Sequence, residues 1–357
     1  MTELQPSVEA QSSQETAGAT LWQGPLFVAG TWRSGTSLLY ALLNKHPQVA
    51  LLYEGDLLLL KPLFWTRGAS GWVTRWNFWN KAVDRHQLDV TRLPSKISRV
   101  EEALAITCQD YARRKGGRIW GDKVVNFYDS LEKLSGFFPA ARFVIIWREP
   151  AAIFRSIMMA AEGRSWFADR SGMTRRFLMA HRNLRRQRDA LIRRGAAVHE
   201  IHYERLITDP ENIMAGICKF LDVPFIPEVA SLRGADESAI SEGAHHQMVK
   251  SGKIESSLDR ADIVPIRIKR KINRYVTLWR AQTKDRWPAI WSGQTPSSAK
   301  PSLLERAVDA FVYRCLRALD GLIVVLYCYA PLSILKLVRS IRYRRYETPR
   351  PAKERSA

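Results

Sequence analysis

Gly30-Thr31-Trp32-Arg33-Ser34-Gly35-Thr36-Ser37 sets two glycines five positions apart, with a cation and hydroxyls around the second, ahead of a helix-forming run. Such a loop leaves backbone N–H groups unpaired at a helix start, where they and the helix dipole favour an oxyanion. The position that is Lys in a nucleoside triphosphatase loop is Thr36, so the side chain that reaches a nucleotide's β and γ phosphates is missing. Arg33 puts positive charge inside the loop instead, and Ser34, Thr36 and Ser37 add hydroxyl donors. That set suits one tightly held phosphate beside a second oxyanion. Taken alone, the loop is equally a Gly-bounded turn with no ligand. Further on, Glu54 lies in Leu51-Leu52-Tyr53-Glu54-Gly55-Asp56, an apolar setting in which desolvation makes a carboxylate a stronger base. Asp56 is the rival base, and a loop carboxylate paired with a nearby Arg is the plainer reading of Glu54.

The elements that must position these residues follow from the hydrophobic pattern. Leu26 to Ala29 is a short apolar run before the loop, and Leu38, Leu39, Leu42 and Leu43 recur at helical spacing until Asn44 and Pro47. Arg142 to Trp147 is apolar without alternation, as in a strand buried on both faces of a parallel sheet. Residues 198 to 203 are a weaker strand candidate. Asp209 and Pro210 then supply an N-cap and a first-turn proline to a helix that stops before Pro224. Strands alternating with helices predict an α/β fold, a parallel sheet flanked by helices.

The chain has 357 residues, 46% of them hydrophobic and 25% charged, an ordinary globular composition that excludes wholesale disorder and a fibrous fold. The net charge of +20 asks for an anionic partner: phosphate, nucleic acid or acidic lipid. Four scattered cysteines with no CxxC pair predict neither a disulfide scaffold nor a zinc site, and no metal is expected. The first twenty residues hold no Lys or Arg and little apolar surface, so they read as a disordered leader rather than a targeting peptide. A cytoplasmic location is the expectation.

Beyond a Pro- and Ser-rich stretch over 288–301 the character changes. Leu304, Val308, Phe311, Cys315, Leu319 and Leu322 repeat at helical spacing against charged neighbours, and Gly321 to Leu335 then carries no charge. Fifteen residues make a helix of about 22 Å, short of the roughly 30 Å hydrocarbon core, and Pro331 interrupts it. Residues 250 to 357 carry 23 Lys or Arg against 9 Asp or Glu, so +14 of the net charge lies there. This is the pattern of a segment lying in or dipping into an anionic leaflet as a peripheral or monotopic anchor. A core hairpin or a dimer interface is the alternative, and nucleic-acid binding is disfavoured because the basic residues accompany a long apolar run. The expected divisions are a leader over 1–21, an α/β domain over 22–287, a linker over 288–301, a membrane-association segment over 302–345 and a basic tail over 346–357.

The motifs together resemble the sulfotransferases that use 3′-phosphoadenosine 5′-phosphosulfate (PAPS). Trp32 to Ser37 is similar to their 5′-phosphosulfate loop, and Arg148 with Ser156 eight residues on is similar to their 3′-phosphate segment. Gly121-Asp122-Lys123 resembles their Lys segment, although Val124 and Val125 replace the commoner Lys-x-Pro form. Ile201 to Asp209 resembles their Tyr-Glu segment, and the four occur in the family's order over roughly residues 24 to 225. The resemblance implies a P-loop-like, three-layer α/β fold with a parallel β-sheet flanked by helices, and that Arg33, Ser34, Gly35, Thr36, Ser37, Arg148, Ser156 and Tyr203 bind PAPS. It implies that Lys123 steadies the bridging oxygen and that Glu54 is the base, as in the glutamate-based branch. A later basic contact belongs in Lys250 to Lys253, and the seven histidines show no matching context.

Trp65, Trp72, Trp76 and Trp79 fall at helical intervals after Glu54, where they form an acceptor lid, an interfacial belt or a core stripe. The sequence thus predicts sulfonate transfer from PAPS to a hydroxyl, on a lipid or glycolipid at the cytoplasmic membrane face, with adenosine 3′,5′-bisphosphate as product. A P-loop-like kinase and a non-catalytic membrane-binding scaffold are the alternatives.

Overall fold

The structure is a computed structural model that describes residues 20–60, 68–93, 99–125, 130–150, 173–236 and 302–347, with 152–154, 156–157 and isolated positions between 238 and 254. The expected leader up to residue 19, the linker and the tail beyond 347 lie outside the described residues.

Five apolar runs pair as one parallel sheet in the spatial order β2-β3-β1-β4-β5. They are β1 (Leu26–Ala29), β2 (Val49–Tyr53), β3 (Ile119–Val124), β4 (Arg142–Trp147) and β5 (Ala197–His202). The helices are α1 (Thr36–Leu43), α2 (Gly68–Asn80), α3 (Ala82–Arg85), α4 (Val100–Arg114), α5 (Leu131–Phe137), α6 (Met173–Arg193), α7 (Tyr203–Thr208), α8 (Pro210–Phe220), α9 (Leu303–Tyr329) and α10 (Leu332–Glu347).

Because successive side chains of a strand point to opposite faces, each strand feeds two cores. Val28, Leu51, Tyr53, Val144 and Ile146 pack with α1 and with Met214 and Ile217 of α8. Phe27, Leu52, Trp120, Phe143 and Ile145 pack on the other face with Leu104 and Cys108 of α4, Leu134 of α5 and Phe177 and Leu184 of α6. The result is the expected helix, sheet, helix layering. In β3 the alternation is decisive, because Asp122 follows Trp120 onto the α4 face while Lys123 points to the α1 face beside Tyr53.

Two boundaries differ from expectation. The sequence predicts a short strand over Arg118 to Gly121 ahead of Lys123; β3 instead runs through Lys123 to Val124, because the backbone pairs with β1 on one side and β2 on the other. Gly121 permits the approach to β1, since a Cβ there would fall 1.9 Å from the Leu26 carbonyl oxygen. The weaker strand candidate ends at His202, so Tyr203 opens α7.

The C-terminal segment forms two helices that meet at Pro331, where the missing N–H ends the first. Gly321 does not break α9. Tyr313 and Cys328 of α9 and Leu335 of α10 are buried, with Cys328 inside the α4-face core. Tyr327 meets Trp79 edge-on at 4.5 Å, Arg75 Nη1 donates to the Tyr327 carbonyl at 2.7 Å, and Arg339 Nη1 donates to the Phe78 carbonyl at 2.8 Å. The remaining face is exposed and apolar, including Leu303 at 81%, Leu304 at 74% and Phe311 at 68%. Among the described residues no helix is long and apolar enough to cross a membrane.

Candidate active site

In an open parallel sheet, ligands bind beyond the carboxyl ends of the strands where the chain's direction of winding reverses. Here that point is the end of β1, flanked by β3 and β4, and the loop Gly30–Gly35 begins there. Arg33 and Gly35 adopt left-handed φ values of 68° and 100°, the alternation that turns successive N–H groups toward one concavity. Gly35 is obligatory on two counts, since a Cβ would also fall 2.4 Å from the Tyr203 ring. Ser34 is fully buried, and its Oγ meets no hydrogen-bond partner among the described residues.

Arg33 and Arg148 both reach this cradle. Arg33 donates to Ser156 Oγ from Nε at 3.0 Å and from Nη2 at 2.8 Å. Arg148 Nη1 donates to the Arg33 carbonyl at 2.9 Å, and its guanidinium lies 4.0 Å over the Tyr203 ring. Burial, reinforced by the Arg148 cation, pulls Arg33 down to about 10. Two guanidinium groups crowding one loop favour an anion between them. Ser156 is thus tied to Arg33, joining the two segments expected to hold opposite ends of a nucleotide.

The second cluster lies at the ends of β2 and β3, where Tyr53 and Lys123 are register partners. Lys123 is 1% exposed, with Nζ paired to Glu54 Oε1 and 4.2 Å from the centre of the Tyr53 ring. Burial alone would lower its pKa, but the Glu54 carboxylate and Tyr53 outweigh it and hold the ammonium above its ordinary value. Tyr53 Oη shares a 2.8 Å hydrogen bond with Ser37 Oγ at the start of α1, linking the two clusters. Burial raises the Tyr53 phenol, so it stays protonated near neutrality.

Glu54 corrects one expectation. It is not embedded among the leucines, because a φ of 50° turns it off the end of β2 and leaves its side chain 35% exposed beside Lys123. One partner among the described residues is Lys123. The rival, Asp56, is 3% exposed and shares the same φ of 50°. The desolvated carboxylate is Asp122, which burial raises to about 7 although the Gly55 and Asp56 N–H groups donate to it.

A profile described as the sulfotransferase family matches residues 25–227. The chain belongs to the sulfotransferase family. A Caenorhabditis briggsae protein named for protein-tyrosine sulfotransferase activity is 23% identical over 263 residues, 71% of this chain and 80% of that protein. Among solved structures, the sulfotransferase domain from the curacin biosynthetic pathway superposes with a TM-score of 0.50 at 20% identity, over 73% of this chain and 98% of that domain. It shares the parallel-sheet α/β fold.

The structure gathers Arg33, Ser34, Gly35, Thr36, Ser37, Arg148, Ser156 and Tyr203 around one cradle, with Glu54 and Lys123 alongside. Three further residues of this sulfotransferase have no site role in the sequence reading, Tyr53, Asp122 and His86, and a fourth, Trp76, appears there only within the Trp series. Trp76 is fully buried and its Nε1 donates to the Gly55 carbonyl at 2.5 Å, so within the Trp series it belongs to the core stripe. His86 Nε2 accepts the Tyr53 N–H at 2.9 Å, a role for which burial and the neighbouring Arg85 hold the ring neutral, down to about 3. The signal for Asp122 was present, as two charged residues inside a strand otherwise buried on both faces. Trp65 and the lysines of Lys250 to Lys253 lie outside the described residues.

Proposed function

We propose that this sulfotransferase moves the sulfonate group of PAPS to a hydroxyl of a lipid or glycolipid held at the cytoplasmic face of a membrane, leaving adenosine 3′,5′-bisphosphate. One observation carries the donor: two half-buried guanidinium groups and a buried Ser34 hydroxyl with no partner among the described residues converge on a backbone nest, with no carboxylate bonded to Arg33 among those residues. A dianionic phosphosulfate end and a phosphate monoester relieve that crowding.

When bound, PAPS supplies an activated sulfonate on a good leaving group. The N–H groups and hydroxyls of Ser34 to Ser37 hold its 5′ end, and Arg148, Ser156 and Tyr203 hold the 3′-phosphoadenosine end. Lys123, kept protonated in its buried niche, balances negative charge growing on the leaving oxygen. Glu54 takes the acceptor's hydroxyl proton. In the structure these two neutralise each other, so Lys123 must turn toward the donor before Glu54 is released to act as a base.

The lipid acceptor rests on the C-terminal helices. Their outward face combines exposed Phe311, Leu322, Leu326 and Leu337 with Arg306, Arg314 and Lys336, and the same helices are seated on α2 directly behind the Glu54 turn. Apolar side chains ringed by cations suit an anionic bilayer surface. A protein tyrosine is the second reading, favoured by the name of the Caenorhabditis relative.

Thermal unfolding with adenosine 3′,5′-bisphosphate against ADP tests the donor. At about a hundred times the dissociation constant, selective binding adds roughly 2.7 kcal/mol, and Arg148→Ala abolishes the gain. An equal response to ADP, or none, defeats the reading. Label from radioactive PAPS appearing in the organic phase rather than in protein decides the acceptor.

A further inference from the structure

The groups that touch the donor and acceptor are set on a turn, Glu54-Gly55-Asp56, that a free chain does not hold. Both Glu54 and Asp56 sit at a φ of 50°, a left-handed conformation that costs a non-glycine residue on the order of 1 kcal/mol or more. Something in the fold must hold this turn down. Glu54 N–H donates to the Lys123 carbonyl at 3.1 Å and Trp76 Nε1 donates to the Gly55 carbonyl, but the two N–H groups that face inward go to one side chain. Gly55 N–H donates to Asp122 Oδ1 at 2.9 Å, and the Asp56 N–H donates to the same carboxylate.

We propose that Asp122 is a positioning residue for the transfer reaction: its carboxylate, on the far face of β3 from Lys123, clamps the Glu54-Gly55-Asp56 turn so that Glu54 stands over the Lys123 ammonium. The adjacency is what strand geometry delivers. One residue apart on β3, Lys123 presents its charge to the acceptor-proton side and Asp122 holds the backbone carrying the base from below. Gly55 fits tightly there, since a Cβ would fall 2.9 Å from Asp122 Oδ2. The space is matched to the clamp.

The ionised carboxylate accepts both N–H groups with charge-assisted strength; on taking a proton it keeps acceptor lone pairs but loses that charge and gains a donor of its own, which weakens the clamp. The charged and titratable groups around Asp122 are Lys123 on β3, Glu54 and Asp56 on the turn, Cys108 on α4 and Tyr40 on α1. Burial raises Asp122 to about 7, while Lys123 pulls the other way. The clamp therefore loosens as the pH falls through neutrality.

The inference rests on the proposed reaction for its kinetic arm only. In Asp122→Asn, kcat is expected to fall about 10- to 100-fold, as for a misplaced catalytic group, with the KM for PAPS and stabilisation by adenosine 3′,5′-bisphosphate unchanged. The wild-type rise of kcat with pH through neutrality should flatten in the variant. Independently of any activity, hydrogen exchange of the peptide covering residues 51–57 reads the clamp in the intact chain. Protection of the Gly55 and Asp56 amides should drop in Asp122→Asn and, in the wild type, on acidification from pH 8 to 6. Unchanged protection in both, or a variant with wild-type kcat, overturns the inference. A wild type with no PAPS turnover defeats the proposed function while leaving the exchange test to decide the clamp.

Discussion

The donor cradle and the C-terminal helix pair invert the usual burial rule in opposite senses. At the sheet edge, charges are inside: Lys123 is 1% exposed and Asp122 2%. On α9 and α10, large apolar side chains are outside. A buried charge is tolerable only with partners in place, and Lys123 and Asp122 have theirs in Glu54, Tyr53 and two backbone N–H groups. The apolar face has no comparable cover among the described residues. The first region therefore holds its partners before any ligand arrives and has only to exchange them, whereas the second leaves large apolar side chains exposed among the described residues.

The largest effect should come from breaking the internal pairing. Lys123→Ala is expected to lower turnover roughly 10²- to 10³-fold, and Glu54→Gln comparably, while stabilisation by adenosine 3′,5′-bisphosphate persists in Glu54→Gln. Wild-type turnover in either variant, measured by transfer of labelled sulfonate, removes that residue from its role. Next comes the outer face. Phe311→Asp with Leu322→Asp should abolish sedimentation with anionic vesicles, since two such side chains contribute about 1.5–3 kcal/mol each on burial. Folding stability should change little, because both side chains are exposed. Retained binding refutes membrane docking by this face. Truncating the chain at residue 302 is a poorer test, because it also removes Tyr313 and Cys328 from the core.

What could be read from the sequence follows the same division. β1 and β4 were legible because uninterrupted apolar runs have only one place to go in a parallel sheet, and the cradle was legible because glycine spacing before a helix is a local pattern. The parallel-sheet α/β fold followed from the first, and the sulfotransferase family from the resemblance of four segments in order. The Asp122 clamp was not legible, since it joins positions 67 residues apart that meet only once β2 and β3 pair. The environment of Glu54 was misread for a related reason: its neighbours in sequence are leucines, but a positive φ takes its side chain away from them. The C-terminal charge pattern was plain, whereas the seating of Tyr327 on Trp79 depends on a helix more than 240 residues earlier.

The smallest expected effect separates the two regions by acid. His86 and His181 are held down to about 3 and His202 to about 4, in each case by burial first and then by a neighbouring arginine. In the unfolded chain each titrates near 6.5. Between those values unfolding takes up protons, so the stability these rings contribute is full above about pH 6.5 and is lost as pH falls toward 4 and 3. Asp122 opposes them: its pKa is raised from 3.8 to about 7, so its contribution is full below 3.8 and is lost as pH rises to 7. Burial also lowers His199 and raises Glu204, so four rings stand against two carboxylates and give a net loss on acidification, expected as a fall of several degrees in Tm from pH 6.5 to 4.5. His181, edge-on to Trp147 at 5.3 Å, is the cleanest of these rings to replace, and His181→Leu should shrink that fall. Since all these groups lie in the sheet half, Phe311→Asp with Leu322→Asp should leave the fall unchanged. A Tm that is flat or rises on acidification would show that the buried rings do not control the acid limb, and a fall that vanishes with the outer-face substitutions would place it on the wrong half of the molecule.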